Sequence, residues 1–319
     1  MSDIKLGIIG SGGMARSHAA AFHQLDGIRI HAIAARNKET GPPLAEEFGA
    51  AFFPDWESLI SQADLEAVAI CTNNDSHGQI AIGAIEAGKH VFAEYPLART
   101  IDEANLVVDL ARSAQTVFRM THRGFPAEIQ RAASELGSLM DAIFVRLTPG
   151  RGSRPEKLLN LNVSGPPALF FVNHLFPIVE LCGPAAWVNA SSDYIDQTED
   201  GGYLRFANSV AAGFSRGGLA QWTWAGGIEV EAAEEYQRLI FERGTLARLE
   251  SGWVLSAKES ARPITIGPDQ RPSLQETFIG DIQGDSEDWR NELDKAFDAV
   301  RISLAAEQSM LEGKRIPLE

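Results

Sequence analysis

From Ile4 to Glu94, short apolar runs rich in β-branched residues alternate with stretches whose apolar positions recur at helical spacing. The runs Ile4–Ile9, Ile28–Ala34, Ala67–Cys71 and His90–Glu94 read as strands, with helices over Met14–Leu25 and His77–Ala87. This alternation predicts a parallel sheet with covering helices, since each parallel crossover needs an element to carry the chain back. Gly88, just past the second helical pattern, suits a helix C′ position before the strand that opens at His90. A helix at Ile101–Ala114 and a strand at Thr116–Met120 complete this part, and the composition shifts near Thr121–Pro126.

Past that point a helix (Ala127–Leu136) and a strand (Ala142–Leu147) lead into strand-like runs at Tyr203–Ala207, Ser209–Ser215, Leu219–Thr223, Gln237–Glu242 and Leu246–Leu249. Few long helices interrupt them, which predicts a large, mostly antiparallel sheet. The whole reads as an α/β protein of two domains, residues 1–121 and 122–319, a division that the length of 319 residues also favours. A last helix is predicted over 287–312, packing back toward the first domain.

Chemistry enters at the first strand. In "LGIIGSGGMARSHAAAF" Gly10, Gly12 and Gly13 stand between strand and helix, with Ala15 completing a G-x-G-x-x-A pattern. Glycines there allow a tight turn and let backbone N–H groups approach a pyrophosphate that rests on the helix N-terminus. A dinucleotide is therefore expected against Gly10, Gly12, Gly13 and Met14. The second strand ends in Ala35 and Arg36, with no acid to grip both ribose hydroxyls of NAD. Arg36 can instead pair a 2′-phosphate, so NADP(H) is favoured and NAD(H) is the alternative.

Composition narrows the partners. With 28 basic and 43 acidic residues the net charge is −15, which disfavours nucleic acid and anionic membrane surfaces, and no apolar run approaches a membrane span. The expected partner is a small molecule. Two cysteines and an N-terminus without a signal pattern predict a cytoplasmic setting, and the seven histidines show no metal-ligand spacing.

With "GIIGSGGMA", "CTNNDSHGQIAIGAIEAGKHVFAEYPLA" and "AFDAVRISLAAEQSMLEGKRIPL" in view, the chain resembles the Gfo/Idh/MocA family of nicotinamide-dependent oxidoreductases. The resemblance implies an N-terminal Rossmann dinucleotide-binding domain and a C-terminal α+β domain whose open-faced sheet mediates homodimers or homotetramers. It also implies that Thr72, Asn73, Asn74, His77, Glu94, Tyr95 and Pro96 line the nicotinamide end of the cofactor site. Sugar and polyol dehydrogenases of the family carry Lys in a Glu-Lys-Pro corner and an Asp four residues before a His in the second domain. Here Tyr95 occupies the Lys position, Phe170 the Asp position, and His174 is kept. The Glu-Tyr-Pro corner is similar to that of biliverdin reductases, which belong to the same superfamily.

A tyrosine with an ordinary pKa of about 10 is protonated at neutral pH, the right state to give a proton and the wrong one to take it. Tyr95 thus suits a reductase of a small carbonyl, imine or conjugated C=C compound, with His174 as a second acid or polarising donor. A catalytically silent dinucleotide-binding sensor, or a sugar dehydrogenase using Tyr95 in place of Lys, are the alternatives. Arg123, Phe170 and Arg151 are candidate substrate contacts; Arg146 and Arg154 share the stretch around Arg151.

Overall fold

The computed structural model describes residues 3–149, 159–170, 172–258, 260–284 and 288–318. Two units emerge from it, one made of Met1–Thr121 and Arg271–Phe297, the other of His122–Gln270 and Asp298–Glu319.

In the first unit the chain runs β1 (Ile4–Ile9), α1 (Gly13–His23), β2 (Ile28–Ala34), α2 (Gly41–Glu47), β3 (Ala51–Phe53), α3 (Trp56–Ile60), β4 (Ala67–Ile70), α4 (His77–Glu86), β5 (His90–Ala93), α5 (Ile101–Ser113) and β6 (Phe118–Met120). Its strands form a six-stranded sheet in the order β3-β2-β1-β4-β5-β6, every described pairing parallel. That is the doubly wound Rossmann arrangement, with strand order reversing beside β1 and leaving a crevice at the carboxyl ends of β1 and β4. Both faces are covered, so β4 is buried at every position. Helix α1 turns Ala15, His18, Ala19 and Phe22 inward, an i, i+3, i+4, i+7 stripe. Lys89, buried to 7% exposure, sends its ammonium to the Gln62 and Leu65 carbonyls at 2.9 and 2.8 Å, so the turn before β4 has a cation on its free acceptors.

The second unit opens with α6 (Ala127–Leu136), β7 (Leu139–Pro149) and α7 (Val172–Cys182). Then follow β8 (Ala185–Ile195), β9 (Arg205–Phe214), β10 (Leu219–Ile228), β11 (Glu234–Phe241), β12 (Gly244–Leu249), β13 (Gly252–Ala257) and β14 (Ser260–Ile264), with β15 (Ile316–Pro317) near the end of the chain. They make a nine-stranded sheet ordered β14-β13-β12-β11-β7-β10-β9-β8-β15, antiparallel except for the β7–β10 pair. Burial alternates along most of β9 and β10: Phe206, Asn208, Val210, Trp222 and Trp224 are buried on one face, while Ala207, Ser209, Leu219 and Gln221 are exposed on the other. One face thus carries this unit's core and the other is open.

The structure corrects the predicted two-part split in one respect. Residues 271–297, with α8 (Leu274–Gln283) and the first part of α9 (Trp289–Glu312), belong to the first unit. The cause is side-chain packing: fully buried Phe278 meets Phe22 and Phe92 with ring centroids 6.2 and 5.5 Å apart, and Arg119 on β6 pairs with Asp281 at 2.5 Å. Glu287, where the last helix is predicted to start, lies outside the described residues.

Candidate functional site

At the end of β1, Gly10 has φ +124° and donates its N–H to the Ala34 carbonyl at 2.8 Å. A Cβ there would lie 2.4 Å from the Cys71 carbonyl oxygen, so backbone angle and close approach both demand glycine. Gly12 and Gly13 differ. A Cβ on either meets no protein atom within 4 Å, although Gly12 caps α1 and Gly13 is its first residue. The space above them is therefore open, the first turn of α1 holds no acid, and its N–H groups face that space with the positive end of the helix dipole. A dinucleotide pyrophosphate fits there without repulsion or steric conflict. Met14, 51% exposed, stands beside it.

The loop after β2 returns to this turn, since Ser11 Oγ and Thr40 Oγ1 are 2.6 Å apart. Ala35 is buried and donates its N–H to the Phe53 carbonyl, whereas Arg36 is exposed, followed by Asn37 and Lys38 before the first carboxylate at Glu39. Cationic and neutral side chains thus occupy the place from which an acid would contact a ribose.

After β5 the chain passes through Glu94, Tyr95 and Pro96, with a cis bond between the last two. Glu94 is held at both carboxylate oxygens: Oε1 lies 2.6 Å from His18 Nε2, and Oε2 accepts from Thr121 Oγ1 at 2.9 Å. Gln275 Nε2 donates to His18 Nδ1 at 2.8 Å, which leaves His18 Nε2 as the protonated nitrogen that donates to Glu94. Burial acts to raise the Glu94 pKa, but the hydrogen bonds from His18 and Thr121, with the charge of His77, hold it below the ordinary carboxylate value. An ionised, immobilised carboxylate therefore directly precedes half-buried Tyr95.

His77 opens α4 and is 2% exposed. Its Nδ1 is 2.8 Å from the Pro96 carbonyl and its Nε2 is 3.1 Å from the Thr72 carbonyl. Carbonyls only accept, so both contacts are satisfied when both nitrogens carry protons. Through them His77 ties the loop after β4 to the corner after β5. Thr72 is further fixed by Ser76 Oγ at 2.9 Å, Asn73 caps the short turn Asn74–Ser76, and Asn74 is buried. Cys71 beneath them has its thiol pushed well above the usual range by burial and by Glu94, which keeps it protonated.

The first unit thus brings together Gly10, Gly12, Gly13, Met14, Thr72, Asn73, Asn74, His77, Glu94, Tyr95 and Pro96 at or just past the carboxyl ends of β1, β4 and β5. His174 belongs to the second unit, half-buried on α7 with its ring stacked on Phe144 at 4.1 Å. Arg123, also of that unit, faces Asp269 at 3.5 Å. Phe170 ends a short 3-10 turn, Pro167–Phe170, and its side chain lies outside the description, as does Arg151 altogether. Sequence reasoning missed His18, Thr121 and Gln275, the partners that orient Glu94. His18 had a signal, because it shares the buried helical stripe with Ala15, Ala19 and Phe22.

Comparison with known proteins agrees with this geometry. The oxidoreductase family with an NAD-binding Rossmann fold, Gfo/Idh/MocA, matches residues 4–122. Levoglucosan dehydrogenase of Pseudarthrobacter phenanthrenivorans is 33% identical over 129 residues, 37% of this chain and 32% of that protein. The 1,5-anhydro-D-fructose reductase of Ensifer adhaerens is 32% identical over 150 residues, 47% of this chain and 42% of its own length. The chain therefore spans less than half the length of these curated relatives. A crystal structure of biliverdin reductase with biliverdin and NADP+ from Synechocystis sp. PCC 6803 superposes with a TM-score of 0.85 over 96% of this chain and 99% of the other, at 21% identity, a likeness of fold. Residues 4–122 of this chain thus match the Gfo/Idh/MocA family of oxidoreductases over their NAD-binding Rossmann fold.

Proposed function

We propose that the chain is an NAD(P)(H)-dependent oxidoreductase working as a reductase of a small carbonyl, imine or conjugated C=C compound, with hydride from NADPH and Tyr95 as the proton donor. One observation carries this reading: a glycine turn open above Gly12 and Gly13 shares its sheet end with a corner in which Tyr95 follows the anchored Glu94 carboxylate. The dinucleotide, when bound, supplies the hydride. Gly12, Gly13 and the α1 N-terminus would hold its pyrophosphate, and Arg36 would pair a 2′-phosphate. Tyr95, protonated at neutral pH, gives its phenolic proton to the heteroatom or carbon that gains charge. His174 is the second candidate, as an acid or a polarising donor. A relative named as a reductase supports this direction.

A second reading, alcohol oxidation with Tyr95 as base, draws support from the dehydrogenase among the relatives. For assembly, exposed Leu219 and Tyr236, at 43% and 37%, lie on the open face of the nine-stranded sheet and favour a homodimer or homotetramer formed there. Buried, free Cys71 and Cys182 suit a reducing, cytoplasmic setting, and no helix of the described residues is long and apolar enough to cross a membrane.

Stopped-flow oxidation of NADPH against aldehydes, imines, ketosugars and linear tetrapyrroles tests the proposal. Turnover with at least one class, faster with NADPH than NADH and losing that preference in Arg36→Ala, is expected. NADPH binding without turnover on any class would leave a silent sensor, and alcohol oxidation that accelerates toward high pH would favour the dehydrogenase.

A further inference from the structure

Strand order in the first unit decides which end of a bound dinucleotide meets which residues. Arg36 follows β2, the glycine turn follows β1 and Glu94 follows β5, in a sheet where β1 separates β2 from β4 and β5 lies next to β4. With the adenosine ribose at the end of β2 and the pyrophosphate at the turn, the nicotinamide extends toward the ends of β4 and β5. Glu94 belongs to that end. Its N–H donates to the Ile70 carbonyl of β4 at 3.0 Å, and its carboxylate is joined through His18 to α1, the helix whose N-terminus faces the pyrophosphate space.

The groups that hold this carboxylate are neutral. An imidazole that accepts from Gln275 at Nδ1 and donates at Nε2 carries no charge, and Thr121 offers only a hydroxyl. His77, whose charge also bears on Glu94, turns its two nitrogens to the Thr72 and Pro96 carbonyls instead. Glu94 and His18 are 8% and 6% exposed. A carboxylate so buried and met by neutral donors keeps its negative charge uncancelled at contact, which costs folding energy and leaves a fixed anion beside the cofactor end of the sheet.

Hydride transfer calls for such an anion. NADPH loses two electrons and a proton together, so its ring is left with one positive charge. The electrophilic carbon of the substrate takes the hydride, and the neighbouring atom that gains charge takes the Tyr95 proton. We infer that Glu94 is the counter-charge of the oxidised nicotinamide: its anchored carboxylate favours NADP+ over NADPH and makes bound NADPH a stronger hydride donor. The inference rests on the reductase reading for that benefit, and on dinucleotide binding alone for its test. Direct contact is not required, since at an effective dielectric of about 20 two unit charges about 12 Å apart still shift an equilibrium about tenfold.

The test is isothermal titration calorimetry of NADP+ and of NADPH with the full chain, in the absence of substrate. In Glu94→Gln the ratio Kd(NADP+)/Kd(NADPH) should rise about tenfold, equal to about 30 mV in the two-electron potential of the bound pair. Glu94→Asp, which keeps the charge, should keep the wild-type ratio. A purely structural role would move both constants alike. An unchanged ratio in folded Glu94→Gln, even with both affinities lowered, would overturn the inference, as would an equal shift in Glu94→Asp. Should Glu94→Gln fail to fold, wild type decides: NADP+ binding at least as tight as NADPH is expected, and tighter NADPH binding overturns it. Absence of binding by either nucleotide overturns it together with the cofactor assignment. Failure of the reductase reading looks different: the ratio shifts as stated while no compound oxidises the bound NADPH.

Discussion

Glu94, His77 and Arg119 in the first unit are each held by close partners, whereas Arg146 in the second is held more loosely. Around the six-stranded sheet, Glu94 is held by His18 and Thr121, His77 by two carbonyls, and Arg119 by Asp281 at 2.5 Å. On the nine-stranded sheet, Arg146 Nε stands 3.6 Å from the Glu235 carboxylate, beyond hydrogen-bond length. The first unit uses its side chains to fix a backbone surface that a ligand meets as N–H groups.

The contrast is broken most directly by removing one arginine from each sheet. Arg119→Met leaves Asp281, 1% exposed and already raised above the ordinary value mainly by burial, without its cation. Such a stranded buried charge costs about 3–5 kcal/mol, to be read from urea unfolding. Arg146→Met should change stability by no more than about 1 kcal/mol, as for a loosely paired, part-exposed charge. Comparable losses would erase the distinction.

Next in size is a pair of glycine substitutions. Gly10→Ala forces a side chain onto φ +124° and against the Cys71 carbonyl, so about 1–3 kcal/mol or more of stability should be lost. Gly12→Ala has room within the protein and should alter stability by about 0.5 kcal/mol at most. NADPH affinity should nonetheless fall by about tenfold or more, because the new methyl enters the space of the pyrophosphate. An unchanged affinity would place the phosphates elsewhere.

The smallest effect is with pH. Burial depresses the His90 pKa, against the opposing charge of Glu66, while its Nδ1 accepts the Val117 N–H at 3.0 Å. With the folded value below the ordinary 6.5, the unfolded chain binds this proton first. The contribution is complete above that value and is lost as pH falls through the folded one. Glu94, also depressed, adds a second loss on acidification below its ordinary 4.5. Thermal melting across pH 8 to 4 should show both losses, and His90→Gln, which keeps an acceptor, should remove the upper one.

Much of the first unit was legible because its signals are local. A glycine turn, an apolar four-residue strand and a Glu-x-Pro corner are each read within about ten residues, and their order implies the crevice. Short elements escaped: α2 begins Gly-Pro-Pro, β3 has three residues and α3 five, too few to show a period. β8, "AAWVNASSDYI", is rich in small polar residues that carry little strand signal. Contacts remote in sequence left no trace at all. Gln275 orients His18 from 257 residues away, Asp281 meets Arg119 from 162, and the parallel β7–β10 pair interrupts an otherwise antiparallel order. Arg146 was visible only as one of several arginines, since its incomplete pairing depends on register with Glu235 and Trp224.

The central claim is that Tyr95 delivers the proton. Single-turnover oxidation of bound NADPH by whichever carbonyl, imine or enone compound the chain reduces, compared between wild type and Tyr95→Phe, addresses it directly. The rate should fall by about tenfold or more, a usual general-acid contribution, while NADPH affinity stays unchanged and the solvent deuterium isotope effect seen in wild type is altered. A Tyr95→Phe protein that turns over at the wild-type rate would contradict it.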